Sequence, residues 1–453
     1  MDRASTRPFL AMFAALWLGY ALVGIWTTAR ISATGDEPFY LMAADALVHG
    51  EGFDMSERFE SIAASSYAPD PPLSRERFLA QTAPSVGGDG RFPLHDLGLS
   101  LLIAAPFVLG GRALVAALLA GAMAAAVVLG VRAARELGVS RGAAFVGGSL
   151  TALAAPALTY SGQVFPDALA ALPVAVALCA LVGSLPRAWL GLSVAVLPVL
   201  HLRFWPLAVG LLFAAFMFGK MSRSDLPRQL LPLVAVVTAI AAIDGLVYGL
   251  PVPHAGFLLF FREGAAGPVA AYTAHDAGGV LGLFFDRSRG LVAAAPIAML
   301  AFAGAGALTA GRLGRSLLLG IVPYLVAVSL LDWTGAYSPH ARYLAPLVAI
   351  LVAAISGGVA RAPLAACLLG AWTVFQSGIY VVAAELRYDR LGAVPLADQV
   401  WTGILGFAPS ALFPVVGRDE AQMTGAVLAA GILFLAGAWR HPSRSFLFRR
   451  SVA

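Results

Sequence analysis

Residues 8–28 read PFLAMFAALWLGYALVGIWTT, an apolar run without a single charged residue. A helix crossing the hydrocarbon of a bilayer needs about 20 such residues, so this stretch decides the class of fold. It follows the basic start MDRASTR, is too long for the core of a signal peptide, and has no convincing small-residue cleavage site behind it. It is read as a retained first span. Further out, comparable runs occupy 112–131, 142–158, 166–185, 188–200, 204–219, 229–250, 290–310, 316–332, 343–360, 363–383 and 422–440. Composition agrees: 59% of the chain is hydrophobic and 12% charged, with a mean hydropathy of +0.82. The expected fold is an all-α polytopic membrane protein of about twelve transmembrane helices, one integral-membrane domain over 1–453.

The distribution of charge orients these spans. With the N-terminus inside, the connections on that side carry Arg132, Arg135, Arg141, Arg187, Lys220, Arg223, Arg228, Arg312, Arg315 and Arg361, and the tail adds Arg440, Arg444, Arg449 and Arg450. Only Asp2, Glu136 and Asp225 oppose them there, as the positive-inside preference requires. Both termini are therefore expected in the cytoplasm, with the chain in the cell inner (plasma) membrane. The apolar stretch 97–110 is short for a span, and counting it would put Arg132, Arg135 and Arg141 outside; it is assigned to the outer surface as an interfacial helix. Most non-membrane mass then lies outside, chiefly in a large first extracytoplasmic loop over 29–111 carrying interfacial helices. Smaller outer segments fall near 251–289, 333–342 and 384–421. The formal charge of +5 is used in orienting the spans and meeting anionic lipid, which gives no support to a nucleic-acid partner. Cys179 and Cys367, the two cysteines, fall in apolar runs and imply no disulfide framework.

Against this apolar background the polar residues at outer span ends stand out. Thr34-Gly35-Asp36-Glu37-Pro38-Phe39-Tyr40 places two adjacent carboxylates just past the first span. A carboxylate is suited to take a proton from an attacking hydroxyl; Asp36 is equally suited to cap a helix whose first turn holds Glu37 and Pro38, and 39–44 fits an interfacial helix. His95-Asp96 ends the first loop, Asp96 as a cap and His95 as a contact for phosphate or acceptor. Asp167 opens a span in Phe165-Pro166-Asp167, as a first-turn acid or a second site acid. His201-Leu202-Arg203 separates two unusually short runs, so both side chains are expected in a recess below the membrane surface. Guanidinium there suits a phosphate, with snorkelling to the interface as the alternative. Asp286-Arg287-Ser288-Arg289 and Tyr337-Ser338-Pro339-His340-Ala341-Arg342-Tyr343 bring arginines to outer ends, for pairing with acids or for an anionic headgroup. Asp244 lies within a span and is left to packing. No phosphate loop, His-Glu-x-x-His or Gly-x-Ser-x-Gly occurs, and the inner connections leave no room for a nucleotide-sugar domain.

Gly35-Asp36-Glu37, Phe165-Pro166-Asp167, His201-Leu202-Arg203, Leu283-Phe284-Phe285-Asp286-Arg287 and Trp333-Thr334-Gly335-Ala336-Tyr337-Ser338-Pro339-His340-Ala341-Arg342-Tyr343-Leu344, in that order, resemble the integral-membrane glycosyltransferases of the GT-C class. Within it the chain is similar to the bacterial protein-mannosyltransferase and aminoarabinose-transferase-like group (glycosyltransferase family 39-like), over most of its length to about residue 360. The resemblance implies a polyprenyl-phosphate sugar donor, transfer on the extracytoplasmic side to a lipid, glycan or protein acceptor, and inversion at the anomeric carbon. It implies Asp36 as the base, Glu37 and Asp167 shaping the acceptor or a metal site, Arg203 and Arg342 on the donor phosphate with Arg287 a weaker candidate, and His95, His201 and Tyr343 in substrate binding. A divalent cation (Mg or Mn) on Asp36, Asp167 and His95 is an open element. Two departures are visible: Trp333-Thr334-Gly335 lacks a double aromatic, and little chain follows the last span, which favours a lipid or glycan acceptor over a peptide sequon. The competing readings are a transporter or flippase of envelope precursors, which would place its polar residues nearer the midplane, and a noncatalytic envelope-assembly protein.

Overall fold

A computed structural model describes residues 3–218, 221–262, 279–330, 338–383, 396–415 and 419–439. Among these, seven helices are long and apolar enough to cross a membrane: Thr6–Arg30, Gly98–Glu136, Leu226–Tyr248, Arg312–Leu330, Arg342–Val359, Pro363–Val382 and Glu420–Trp439. Four shorter apolar helices, Pro166–Val182, Ala188–Leu200, Leu202–Phe218 and Pro296–Leu308, fill the space between them. The described residues thus form an all-α membrane protein. Their strands are Thr82–Pro84 and Arg91–Pro93, an antiparallel pair in the register Ala83↔Phe92, closed by a turn in which Gly87 takes a φ of +80°.

The 39 residues of Gly98–Glu136 would make a rod of about 58 Å, nearly twice the hydrocarbon thickness. The rod is broken. Gly110 (φ −158°, ψ 21°) and Gly111 (φ 60°, ψ −158°) leave helical geometry, and the Gly111 conformation is one that side chains other than glycine essentially never adopt. The arm 98–109 keeps Leu101, Leu102, Val108 and Leu109 exposed, as a helix lying along lipid does, while the arm from 112 onward packs into the bundle. The separation of 97–110 from the following span is therefore seen directly. The stretch 39–44 is different from expectation: Phe39, Tyr40, Leu41, Met42, Ala43 and Ala44 are all buried. Instead of lying on a membrane surface, Glu37–Val48 is the core helix of the first loop, packed under Phe53, Met55, Phe78 and Leu99.

Two further apolar runs are not continuous helices. The run at 142–158 gives Arg141–Ala152 and then a separate turn, Ala157–Tyr160. The run at 290–310 breaks around Pro296, which has no N–H to donate. There, side chains from Pro363–Val382 complete the backbone bonding: the Ile297 N–H donates to the Thr373 hydroxyl at 3.0 Å, and Gln376 Nε2 donates to the Ala293 carbonyl at 2.8 Å. Such repair by a neighbouring helix is what allows irregular backbone deep in an apolar bundle.

Helices approach closely where small residues meet, the usual device when apolar side chains gain nothing by leaving lipid. A Cβ on Gly210 would lie 1.8 Å from the Gly320 carbonyl oxygen. Gly210→Leu is therefore expected to lower stability by about 3 kcal/mol and to depress the melting temperature of the detergent-solubilised protein. Gly425→Ala, with nothing within 4 Å of its Cβ, should leave that temperature unchanged or raise it.

Candidate active site

Four segments far apart in the chain bring their polar residues to one place. Asp36 precedes the helix Glu37–Val48, Asp167 lies in the first turn of Pro166–Val182, Arg203 sits in the short 3-10 turn Leu202–Phe204, and Arg342 opens the turn Arg342–Leu347. Arg203 Nη2 donates to Asp167 Oδ2 at 2.5 Å. Arg342 Nε donates to the same oxygen at 3.2 Å, and its Nη2 donates to Asp36 Oδ2 at 2.7 Å. The result is a charge-balanced chain, Arg203–Asp167–Arg342–Asp36, closed by residues 306 positions apart. Asp167 is wholly buried and the Arg342 side chain 5% exposed, whereas the Asp36 side chain is 20% exposed. The chain runs from the interior to an accessible carboxylate.

Capping does not describe Asp36. It stands at the N-cap position, but its backbone is helical (φ −90°, ψ −10°) and its side chain makes no cap bond; a capping side chain normally needs the extended backbone that lets it fold back onto the first turn. Its carboxylate turns to Arg342 instead. Burial raises the Asp36 carboxyl, but Arg342, His95 and Arg203 outweigh that and hold it below the ordinary carboxylate range. Asp96 is not a cap either. Its Oδ2 accepts the Leu202 N–H at 2.6 Å, and its Oδ1 lies 2.5 Å from His254 Nδ1.

The adjacent carboxylates divide their roles. Glu37 is fully buried and spends both oxygens on scaffold, accepting the Val164 N–H at 2.7 Å and Arg112 Nη2 at 2.8 Å. Arg112 also donates to the Ile31 carbonyl at 2.5 Å. This pair, immediately beyond the Gly110-Gly111 break, ties together three segments, so the expectation that Glu37 shapes the acceptor gives way to a structural role. Arg287 is turned to another loop: it donates to the Phe413 and Ala411 carbonyls at 3.2 and 3.3 Å.

The remaining expected residues surround the chain. His95 Nε2 lies 3.8 Å from Asp36 Oδ1 and 3.0 Å from Gln81 Oε1. Burial lowers the His95 imidazole, and the pull of Asp36 does not offset burial together with Arg342 and Arg203. His201 Nδ1 accepts the Arg203 N–H at 3.2 Å, with its ring 5.7 Å from that of His95. The Tyr343 ring lies 5.2 Å from the Arg203 guanidinium carbon, and Phe165 lies 4.3 Å from that of Arg342. Asp167 Oδ1, Arg203 Nε, His95 Nδ1 and the hydroxyls of Tyr40 and Thr34 are buried without a hydrogen-bond partner.

Tyr40, stacked on His95 with centroids 5.4 Å apart, is a site residue that the sequence concealed within an apolar helix. So is the chain Trp205–His254–Asp96, in which Trp205 Nε1 donates to His254 Nε2 at 2.8 Å. It grips both sides of the turn that carries Arg203. Burial lowers the His254 imidazole, but Asp96 outweighs it and the net shift is upward. Asp244, left to packing, accepts the Ala255 N–H at 3.1 Å.

Of the residues expected around a divalent cation, Asp36 and Asp167 each give one carboxylate oxygen to Arg342, and among the described residues no three His, Cys, Asp or Glu side chains converge. The motif residues 333–337 lie outside the described residues, as do Lys220 and the tail arginines.

The segment bearing Arg342 is braced on every side. Tyr160 donates its hydroxyl to the Pro339 carbonyl at 2.5 Å, Tyr324 to the Tyr343 carbonyl at 2.8 Å, and Arg289 Nη1 to the Ser338 carbonyl at 2.8 Å. Ala341 is held at φ 57°, a left-handed conformation uncommon outside glycine. An apolar cavity of 270 Å³ is lined by Leu291, Leu344, Leu347 and Phe434, among others.

No protein-family model matches this chain, and comparison with curated proteins and with solved structures likewise finds no match.

The division between Asp36 and Glu37 is measurable. Arg112→Ala leaves Glu37 buried beside an empty place and should cost about 3–5 kcal/mol, seen as a lower melting temperature. Asp36→Asn should leave it near that of the native protein.

Proposed function

We propose that this chain is a glycosyltransferase that moves a hexosyl or pentosyl group from a polyprenyl-phosphate-linked donor to a hydroxyl-bearing lipid, glycan or protein acceptor. The observation that carries the reading is the outer end of the buried charge chain: one carboxylate 20% exposed, two guanidiniums behind it. In this reading the architecture is GT-C-like, with about twelve spans counting the shorter apolar helices, in the inner membrane. Both termini are cytoplasmic and the site faces the extracytoplasmic side, to which the positive-inside distribution consigns all four segments of the charge chain.

The chemistry follows from the arrangement. The acceptor oxygen attacks the anomeric carbon from the face opposite the phosphate, and the bond from that carbon to the phosphate oxygen breaks. The acceptor proton passes to Asp36, and the polyprenyl phosphate departs against Arg342 and Arg203. Phosphate leaves readily, so positive charge held in place of bulk water suffices for that side of the reaction without a dedicated acid. Tyr40, Thr34, His95 and Asp167 Oδ1 offer buried, unpartnered hydrogen-bonding atoms for sugar hydroxyls, and the apolar cavity past Leu344 suits an isoprenoid tail. The polar groups gather at helix ends rather than along a mid-membrane path, which favours this reading over a transporter.

The test is transfer from polyprenyl-phosphate sugars to an envelope extract by the purified protein. Asp36→Asn is expected to reduce the rate by about a thousandfold with the melting temperature retained. Unchanged turnover in that variant would remove Asp36 from the role of base.

A further inference from the structure

Arg342 is paired with two carboxylates before any ligand reaches it. Its Nη2 binds Asp36 Oδ2 at 2.7 Å and its Nε binds Asp167 Oδ2 at 3.2 Å, and Phe165 covers its face. The two carboxylates are not equally held. Asp167 has no exposure, lies in the first turn of a helix, and binds Arg203 as well at 2.5 Å. Asp36 is the terminal member, bound to one guanidinium, with His95 at 3.8 Å from its other oxygen and a side chain 20% exposed. Two cations and two anions sum to zero, so an arriving phosphate brings negative charge into a neutral buried set. The geometry allows one carboxylate to give way, and it is Asp36.

We propose that the phosphate of the lipid donor displaces Asp36 from Arg342, so that Asp36 is released to act as base only after the donor is seated. This rests on the transferase reading and adds to it an order of events. Without donor, Arg342 both blocks the carboxylate and suppresses its basicity. With phosphate on Arg342, the local positive charge is neutralised and the carboxylate regains its affinity for a proton. The acceptor hydroxyl then meets a competent base only in the donor complex, which guards against activation of water or of an acceptor with nothing to receive. Arg342 thereby becomes a shared partner for which carboxylate and phosphate compete, and Asp167 keeps the guanidinium in place during the exchange.

Competition has a signature that ordinary loss of function lacks. Polyprenyl monophosphate without a sugar is titrated onto the full-length protein in nanodiscs and followed by phosphorus NMR. Asp36→Asn removes the competitor, so that variant should bind the lipid phosphate about tenfold more tightly than the native protein while failing to transfer sugar. Equal or weaker binding would overturn the competition. A second measurement needs no variant. The acid limb of kcat, which reports the donor complex, should lie about one pH unit above the acid limb of kcat/KM for the donor, which reports the free protein. Coincident limbs would also overturn it. A native protein that transfers no sugar sinks the transferase reading itself, whereas intact, Asp36-dependent transfer with unchanged phosphate affinity sinks only the exchange.

Discussion

Four charges buried together must balance, and the rest of the structure is arranged around that requirement. In a low-dielectric interior an unpaired carboxylate or guanidinium is strongly unfavourable, so Arg203, Asp167 and Arg342 depend on one another, with the part-exposed Asp36 as the outermost member of the set. Such a network is also a poor way to stabilise a fold, since apolar side chains of the same volume do at least as well. Its position at helix termini adds to the oddity: each member sits where a helix begins or a turn interrupts one. A scaffold that only needed to hold its helices together would have filled this space with leucine.

The surrounding irregularities serve the same end. The break at Gly110-Gly111 puts Arg112 where it can seize Glu37 and the chain leaving the first helix, which fixes the start of Glu37–Val48 and with it Asp36. Asp96, His254 and Trp205 hold the turn bearing Arg203. Arg289, Tyr160 and Tyr324 brace the segment bearing Arg342. The break near Pro296, by contrast, is repaired by Thr373 and Gln376 and takes no part in the charge chain.

Hydropathy is a good guide to the bundle because burial in lipid demands long apolar runs: the run at 188–200 is the helix Ala188–Leu200, and its length and the sidedness of the arginines set 97–110 apart from the span that follows. The runs at 142–158 and 290–310 misled, since an apolar run says nothing about where side chains of another helix will mend a broken backbone. At the site, residue types were legible but roles were not. Asp36 and Glu37 look alike in sequence, yet neighbours at a helix start point about 100° apart, one to the mouth and one to the scaffold. Asp96 read as a cap because its partner His254 is 158 residues away. Tyr40 was invisible, as an aromatic in an apolar helix is ordinarily core, and Arg287 had the right charge and the wrong neighbours.

The backbone of Ala341 constrains Arg342, the residue that follows it. A residue with a side chain, kept in the left-handed region by hydrogen bonds on either side, has few alternative conformations to relax into. The peptide leading to Arg342 therefore behaves as a stiff bracket, and adjustment at this arginine falls to its own rotatable side-chain bonds. A guanidinium mounted this way can keep its station while one oxyanion is exchanged for another on it, and the polypeptide need not move.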